Sequence, residues 1–130
     1  MFDTLKTAAA TSLLALASNA AFAETTVEFW HSFSGTSGEV LDGIVADFEA
    51  ANPDIDIDAQ HIGNYNDIVT KLQAAIPARR APDAVIMEVT RYGLFADRGV
   101  LTDLTGYLEA DPLKDELFDF AREVGVFEGK

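Results

Sequence analysis

The stretch T-T-V-E-F-W-H, residues 25–31, decides the fold, because it opens a series of strand patterns separated by helix patterns. Its Val27, Phe29 and Trp30 are residue types that favour strands. Residues 55–60 alternate apolar and polar side chains, which predicts a strand with one wet face at the edge of a sheet. The unbroken apolar run at residues 84–87 has the length of a strand and indicates burial on both faces, in the middle of a parallel sheet.

Helix patterns lie between these strands. Thr36 and Glu39 have the spacing of a capping box at the start of a first helix, which Asn52-Pro53 ends. Asn64 is expected to cap a second helix, which Pro77 ends or kinks. The apolar face of the first helix carries Val40, Leu41, Ile44, Val45 and Phe48. The inner face of the second carries Ile68, Val69, Leu72, Ala75 and Ile76. The order strand, helix, strand, helix, strand predicts an α/β fold with a parallel βαβαβ core.

The pattern is looser after residue 88. A short helix is predicted within residues 91–98, and further helical segments at 107–109 and 112–124. The second of these segments supplies candidate core side chains, namely Leu113, Leu117, Phe118 and Phe120. The last residues, 127–130, resemble a turn that leads into further structure, so we expect this chain to be the N-terminal piece of a longer protein.

Residues 1–23 have the features of a secretory signal peptide. Lys6 gives the start a positive charge, residues 7–20 are apolar or small, and Ala21-Phe22-Ala23 is an A-x-A cleavage site. The alternative, an amphipathic or buried helix, is weak because the apolar residues show no one-sided pattern. Cleavage after Ala23 would leave residues 24–130 as the exported part. With no cysteine to carry a lipid, the periplasm is the expected location.

Composition excludes several classes of function. The chain has 22 acidic and 9 basic residues and a formal net charge of -13, which argues against nucleic acid or an anionic membrane as a partner. It has no cysteine, so disulfides, thiolate metal sites and cysteine nucleophiles are excluded. Hydrophobic residues make up 48%, a value typical of globular proteins.

Candidate ligand-binding residues follow the three predicted strands. Because ligands of open parallel sheets bind beyond the carboxyl ends of the strands, these residues should share one edge. They combine aromatic faces with hydrogen-bonding groups, which suits a sugar or polyol. The candidates are Trp30, His31, Ser32, Ser34, Asn64, Tyr65 and Glu88.

Each candidate also has a structural interpretation. Trp30 fits a core residue slightly better than a ligand platform, and Tyr65 fits packing and ligand contact equally well. Glu88 favours function, because a carboxylate at the end of a buried run needs partners.

Other chemistries have weaker signals. His31 and His61 could join Glu28 or Glu88 at a metal, but no ligand motif with metal-site spacing is present, so no metal or cofactor is expected. The loop at residues 35–38 lacks the lysine of a P-loop and the spacing of a dinucleotide fingerprint. The G-x-S-x-G motif, which would indicate a serine hydrolase, is absent from the sequence.

Several segments, taken together, resemble a known family. They are V-E-F-W-H-S at residues 27–32, F-E-A-A-N-P at 48–53, G-N-Y at 63–65, A-P-D-A-V at 81–85 and F-A-D-R-G-V-L at 95–101. In this order they are similar to the extracellular solute-binding proteins of family 1, the periplasmic components of ABC importers for sugars and polyols. The F-W-H-S and G-N-Y pieces are most similar to the members that bind sn-glycerol 3-phosphate.

The resemblance implies a type II binding-protein lobe, one of two lobes that close on a ligand, and no catalysis. It implies that Tyr65 and Glu88 contact the ligand and that residues 30–35 border the cleft. The implied partners are a sugar, polyol or glycerol phosphate and an ABC permease, with the complete protein a monomer. Pro77 and Arg79-Arg80 depart from the glycine that is common there in the family, and the second lobe is absent. Cationic groups for a phosphate are not evident near the strand ends.

Two other functions remain open from the residues alone. A secreted carbohydrate-active hydrolase could use Glu88 as acid or base, but it needs a second carboxylate across from Glu88. A small stand-alone periplasmic module is the other alternative.

Overall fold

The computed structural model describes residues 24–128. The predicted signal peptide and its cleavage site lie outside the described residues. The strands are β1 (Thr25–His31), β2 (Ile55–His61) and β3 (Ala84–Val85). The helices are α1 (Thr36–Ala51), α2 (Tyr65–Ala75), α3 (Gly93–Ala96), α4 (Thr105–Ala110) and α5 (Asp119–Glu123), with a 3-10 helix at Pro112–Glu116. Among the described residues, no helix has both the length and the apolar character needed to cross a membrane.

The strands form one parallel sheet in the order β2-β1-β3, which confirms the predicted βαβαβ core. The register runs from Thr25 opposite Ile55 to His31 opposite His61. The strand β2 lies at an edge, as its alternating pattern predicted. Its Asp56 and Asp58 share the sheet face of the partner residue Glu28, because registered residues of parallel strands point to the same side.

The strand β3 differs from its prediction. It is two residues long, Ala84 is exposed and Val85 is half-buried, so burial on both faces is wrong for the described structure. Its position also differs from the prediction, because β3 lies at an edge of the described sheet and not in the middle, and no described strand pairs with its outer side. Its pairing to β1 extends at both ends, where Asp83 N donates to Glu28 O at 3.0 Å and Ile86 N to Trp30 O at 2.9 Å.

The core lies between the sheet and α2. Its central cluster joins β1, α2 and α3 and contains Trp30, Val69, Leu72 and Phe95. Ile68 of α2 and Phe95 of α3 are fully buried. The inner face of α2 is therefore largely as predicted, with Ala75 and Ile76 half-buried at its end. The helix stops before Pro77.

Helix α1 departs from its prediction in two ways. Its N-cap is Gly35, with φ 54° and no side-chain cap hydrogen bond, so the predicted Thr36–Glu39 capping box is wrong. Leu41 is buried, but Val40, Ile44 and Phe48 are 57%, 59% and 45% exposed. These side chains are exposed because nothing in the described structure covers that side of the helix.

The segment after α3 is more broken than predicted. Residues 112–124 split into the 3-10 helix and α5, and the candidate core residues Leu113, Leu117, Phe118 and Phe120 are all exposed. Their prediction as core is wrong, because these short helices pack against too little of the described chain to cover them. Tyr92 holds the end of this segment, with its hydroxyl donating to Val126 O at 2.9 Å and its ring against Phe127.

Candidate functional site

The three strands end at one edge of the sheet, as parallel pairing requires. His31 and His61 are register partners at the ends of β1 and β2, and Ile62 N donates to His31 O at 2.9 Å. With β1 between them, the ends of β2 and β3 lie about 10 Å apart, since neighbouring strands are about 4.8 Å apart. This edge, which we call the strand-end edge, has the width of a small sugar or polyol.

Trp30 belongs to the core and does not form an exposed platform. Its side chain is 2% exposed and packs with Val69, Leu72 and Phe95. The indole Nε1 donates to Glu28 Oε1 at 2.7 Å, which satisfies its one donor. Lys71 Nζ lies 3.9 Å from the centre of the ring, a cation–π contact. The structural interpretation of Trp30 is therefore the one that the packing supports.

His31 is also buried, at 5% exposed. Its ring lies among those of Phe29, Phe33 and His61, with centroid separations of 5.9, 6.5 and 5.8 Å. Its Nδ1 has no hydrogen-bond partner among the described residues. The buried His31 ring lies at the base of the loop that follows β1. In this loop Ser32 is half-buried and Ser34 is exposed.

The turn after β2 places Tyr65 at the first position of α2. Gly63 has φ 95°, and a Cβ atom there would lie 2.6 Å from Asp67 Oδ2, so the turn requires glycine. Asn64 caps the helix as predicted, since its Oδ1 accepts from Asn66 N at 2.8 Å and Asp67 N at 3.2 Å. Asp67 Oδ2 in turn accepts from Asn64 N at 2.9 Å, which completes a capping box. Asn64 thus has a structural role, while Tyr65 is half-buried.

Glu88 follows β3 and is exposed, so the buried surroundings from which its need for partners was argued are not found there. Its Oε2 lies 3.4 Å from Arg91 Nε, and a turn closed by Arg91 N donating to Glu88 O at 2.9 Å holds the two residues together. The sequence reasoning missed Arg91. The spacing of three residues within a turn was the signal that could have paired it with Glu88.

The described cavities lie elsewhere. An open depression of about 610 Å³ lies between α1 and β2, and another of about 310 Å³ lies between α1 and Phe33. Tyr65 and Glu88 line neither of them.

The residues considered for a metal do not assemble. In the described part of the chain, no group of three or more His, Asp or Glu side chains is placed to hold an ion. Glu28 accepts from the indole of Trp30, and Glu88 pairs with Arg91. The His31–His61 pair thus stands without a third ligand among these residues.

Comparison with known proteins identifies relatives that bind solutes. The chain is 34% identical over 122 residues to the sn-glycerol-3-phosphate-binding periplasmic protein UgpB of Escherichia coli K12, a match that covers 92% of this chain and 24% of UgpB. The chain therefore spans about a quarter of the length of this relative.

Solved structures show the same fold. The ABC substrate-binding protein Lmo0181 of Listeria monocytogenes, in complex with cycloalternan, superposes with a TM-score of 0.72 at 37% identity, over 82% of this chain and 27% of that one. The cyclic alpha-maltosyl-1,6-maltose binding protein of Arthrobacter globiformis gives the same TM-score of 0.72 at 31% identity, with the same coverage.

The family model of the bacterial extracellular solute-binding proteins matches residues 33–129, which begin in the loop after β1. This match spans most of the chain and includes the turn of Tyr65 and the pair of Glu88 and Arg91. The chain belongs to the family of bacterial extracellular solute-binding proteins.

Proposed function

We propose that this chain is part of a receptor that binds a sugar, polyol or glycerol phosphate and delivers it to an ABC importer. The strand-end edge carries the proposal, because Tyr65 follows β2 and Glu88 follows β3 in a member of a solute-binding family, and these strands end at the same edge of the sheet as the central strand. The names of the relatives support the ligand class, since they bind glycerol phosphate or cyclic oligosaccharides.

Residues 24–130 form the N-terminal part of one lobe in this proposal, and a second lobe completes the receptor. The share of 24% of the length of UgpB supports a longer protein. One lobe supplies half of the ligand's partners, and closure of the second lobe removes water from the polar contacts. Residues 1–23 act as the signal peptide, with cleavage after Ala23 and release to the periplasm.

Two residues have direct roles in binding. The Tyr65 ring offers an apolar face to the ligand's carbon skeleton, and the Glu88 carboxylate accepts hydrogen bonds from hydroxyl groups. Ser32, Ser34 and Asn64 lie on the loops that border them. No step makes or breaks a covalent bond.

Titration calorimetry on the complete protein tests this proposal. The probes are sn-glycerol 3-phosphate and the neutral sugar maltotriose. Glu88→Ala and Tyr65→Ala should each weaken binding of the cognate probe by about 1–3 kcal/mol, the cost of losing a hydrogen bond to a charged group or leaving a polar group unpaired. Gln73→Ala, on the exposed side of α2, is the matched control and should change binding little.

Two results would count against it. If both site variants stay folded and keep full affinity, the placement of the site is wrong. If the complete protein hydrolyses the sugar probe, the hydrolase alternative is correct.

A further inference from the structure

We propose that the turn after α2, at Arg79-Arg80, is a cleavage site for an endoprotease of trypsin-like specificity, whose specificity pocket holds a carboxylate. Hydrolysis breaks the peptide bond between Arg79 C and Arg80 N. Water supplies the hydroxyl of the new carboxyl group and the hydrogen of the new amino group. The proposal rests on the backbone conformation of Arg79, the exposure of the turn and the two unengaged guanidinium groups. It is independent of which solute the receptor binds.

The turn holds Arg79 in a conformation that suits glycine. Its φ is 54°, in the left-handed region, where a residue with a Cβ atom has a higher free energy than glycine. The hydrogen bonds are those of a Schellman motif, since Arg80 N donates to Ala75 O and Arg79 N to Ile76 O, both at 3.0 Å. Glycine is the usual residue at the position of Arg79 in this motif. An arginine there therefore lowers the free energy needed to open the turn.

The turn is accessible on both sides of the bond. Residues 77–81 are all exposed, so five consecutive positions lie at the surface. Exposed turns are preferred sites of proteolytic nicking, because they open locally at low cost. The pairing of β3 with β1 begins with Asp83 N, which donates to Glu28 O at 3.0 Å. The turn can therefore open while the sheet stays paired.

The two guanidinium groups are free to bind a protease. Within residues 24–128, neither Arg79 nor Arg80 has a side-chain hydrogen bond or an ion pair. Most other cations of this segment are engaged, namely Arg91 with Glu88, Lys114 and Arg122 with Glu109, and Lys71 with the Trp30 ring. A carboxylate in a specificity pocket pairs strongly with a free guanidinium. An arginine that occupies a strained position without a partner of its own points to recognition by another molecule.

Arg98 is the strongest competing site, since it is also exposed and has no ion pair in the described part of the chain. It differs from the turn in two respects. It follows Asp97, whose carboxylate an acidic specificity pocket repels. Its backbone N also donates to the carbonyl of Phe95 at 3.2 Å, and Phe95 is a fully buried core residue. Opening the chain at Arg98 would therefore disturb the core, which opening at Arg79 does not.

Limited digestion of the complete protein with trypsin tests the proposal. N-terminal sequencing of the first fragments should show a new amino terminus at Arg80 or Ala81, with the sequence R-A-P-D or A-P-D. The double variant Arg79→Gly/Arg80→Gln should lose this cut. Arg98→Gln is the matched control, because it removes one cation from a separate exposed turn, and it should change the rate of the cut by less than about twofold.

Two single variants measure the contribution of the left-handed conformation. Arg79→Ala and Arg79→Gly remove the same cation and leave Arg80 as the cleavable residue of the turn. Glycine alone relieves the strain at φ 54°. Cleavage after Arg80 should be about fivefold slower in Arg79→Gly than in Arg79→Ala, because the cleavage rate follows the population of the opened turn.

The outcomes are separable. A first cut at another position, an unchanged first cut in the double variant, or resistance of the parent protein to trypsin while a denatured sample is digested would each overturn the cleavage site. Equal rates in Arg79→Ala and Arg79→Gly would overturn the contribution of the left-handed conformation. Circular dichroism checks that each variant is folded before digestion.

Discussion

At the scale of single residues, the contact between Trp30 and Lys71 shows that an exposed side chain can take part in the packing of a buried one. Lys71 is an exposed residue of α2, yet its Nζ lies 3.9 Å from the centre of the indole. The indole is itself held by Glu28, so cation, ring and carboxylate form one connected unit on the sheet. Lys71 therefore contributes to the packing of the core residue Trp30 although its side chain is exposed.

Lys71→Met should lower the free energy of unfolding by about 0.5–1 kcal/mol, the contribution of an exposed cation–π contact. Methionine keeps much of the aliphatic stem, so the change isolates the charge. Urea denaturation of the complete protein, followed by circular dichroism, measures it. Arg98→Gln should leave the midpoint nearly unchanged. A Lys71→Met midpoint equal to that of the parent would show that the contact contributes nothing.

At the scale of elements, the two long helices begin by different means. Helix α2 uses a side-chain cap, while α1 begins at a glycine with φ 54° and ψ -138°. Helix capping by a side chain is visible in a sequence, because Asn64 and Asp67 have the right types at the right spacing. A cap made by backbone geometry has no such signature, and this is why Thr36 and Glu39 predicted a box that does not form.

Asn64→Ala should cost about 1 kcal/mol of stability, the usual effect of removing an N-cap. Asn66→Ala is the matched control, because Asn66 is an exposed residue in the first turn of the same helix and its side chain makes no cap bond. Thermal unfolding of the complete protein compares them. Equal losses in the two variants would contradict the capping role. A loss of ligand affinity in Asn64→Ala without a loss of stability would assign the side chain to the ligand instead.

Two glycines of this region should respond to alanine with opposite signs. Gly35→Ala places a side chain at φ 54°, which costs about 1–3 kcal/mol for a residue in a sparsely populated region. Gly43 lies inside α1, with no atom within 4 Å of an added Cβ, so Gly43→Ala should stabilise by about 0.5–1 kcal/mol. Urea denaturation of both variants measures the difference. A Gly35→Ala protein as stable as Gly43→Ala would show that the turn relaxes without strain.

At the scale of the whole molecule, residues 24–128 leave much apolar surface uncovered. Val40 and Ile44 on α1 and Phe118 and Phe120 near α5 are more than half exposed. The sequence predicted the βαβαβ order and the buried face of α2 well, because these follow from the spacing of apolar residues within each segment. It failed for the α1 face, for β3 and for residues 113–120, because their burial depends on which other parts of the molecule pack against them.

The isolated chain of residues 24–130 should therefore self-associate, since contiguous apolar patches and an open strand edge at β3 favour contact between copies. Sedimentation velocity over a range of concentrations measures this. Replacing Phe118 and Phe120 together by serine should reduce the association, while the same change at Phe127, which packs on Tyr92, should not. A clean monomer with a sharp cooperative melt would contradict the expectation.

The central position of β1 also has a consequence for the order of folding. Both of its partners come later in the chain, with Ile55 about 30 residues after Thr25 and Ala84 about 55 residues after Phe29. Parallel pairing over such separations requires large loops to close, and the entropy cost of closure comes before the stabilising contacts form. This slows folding. As the chain emerges from the ribosome, β1 has to wait unpaired until β2 and then β3 have been made. The central strand of the sheet is thus the strand that remains unpaired longest during synthesis.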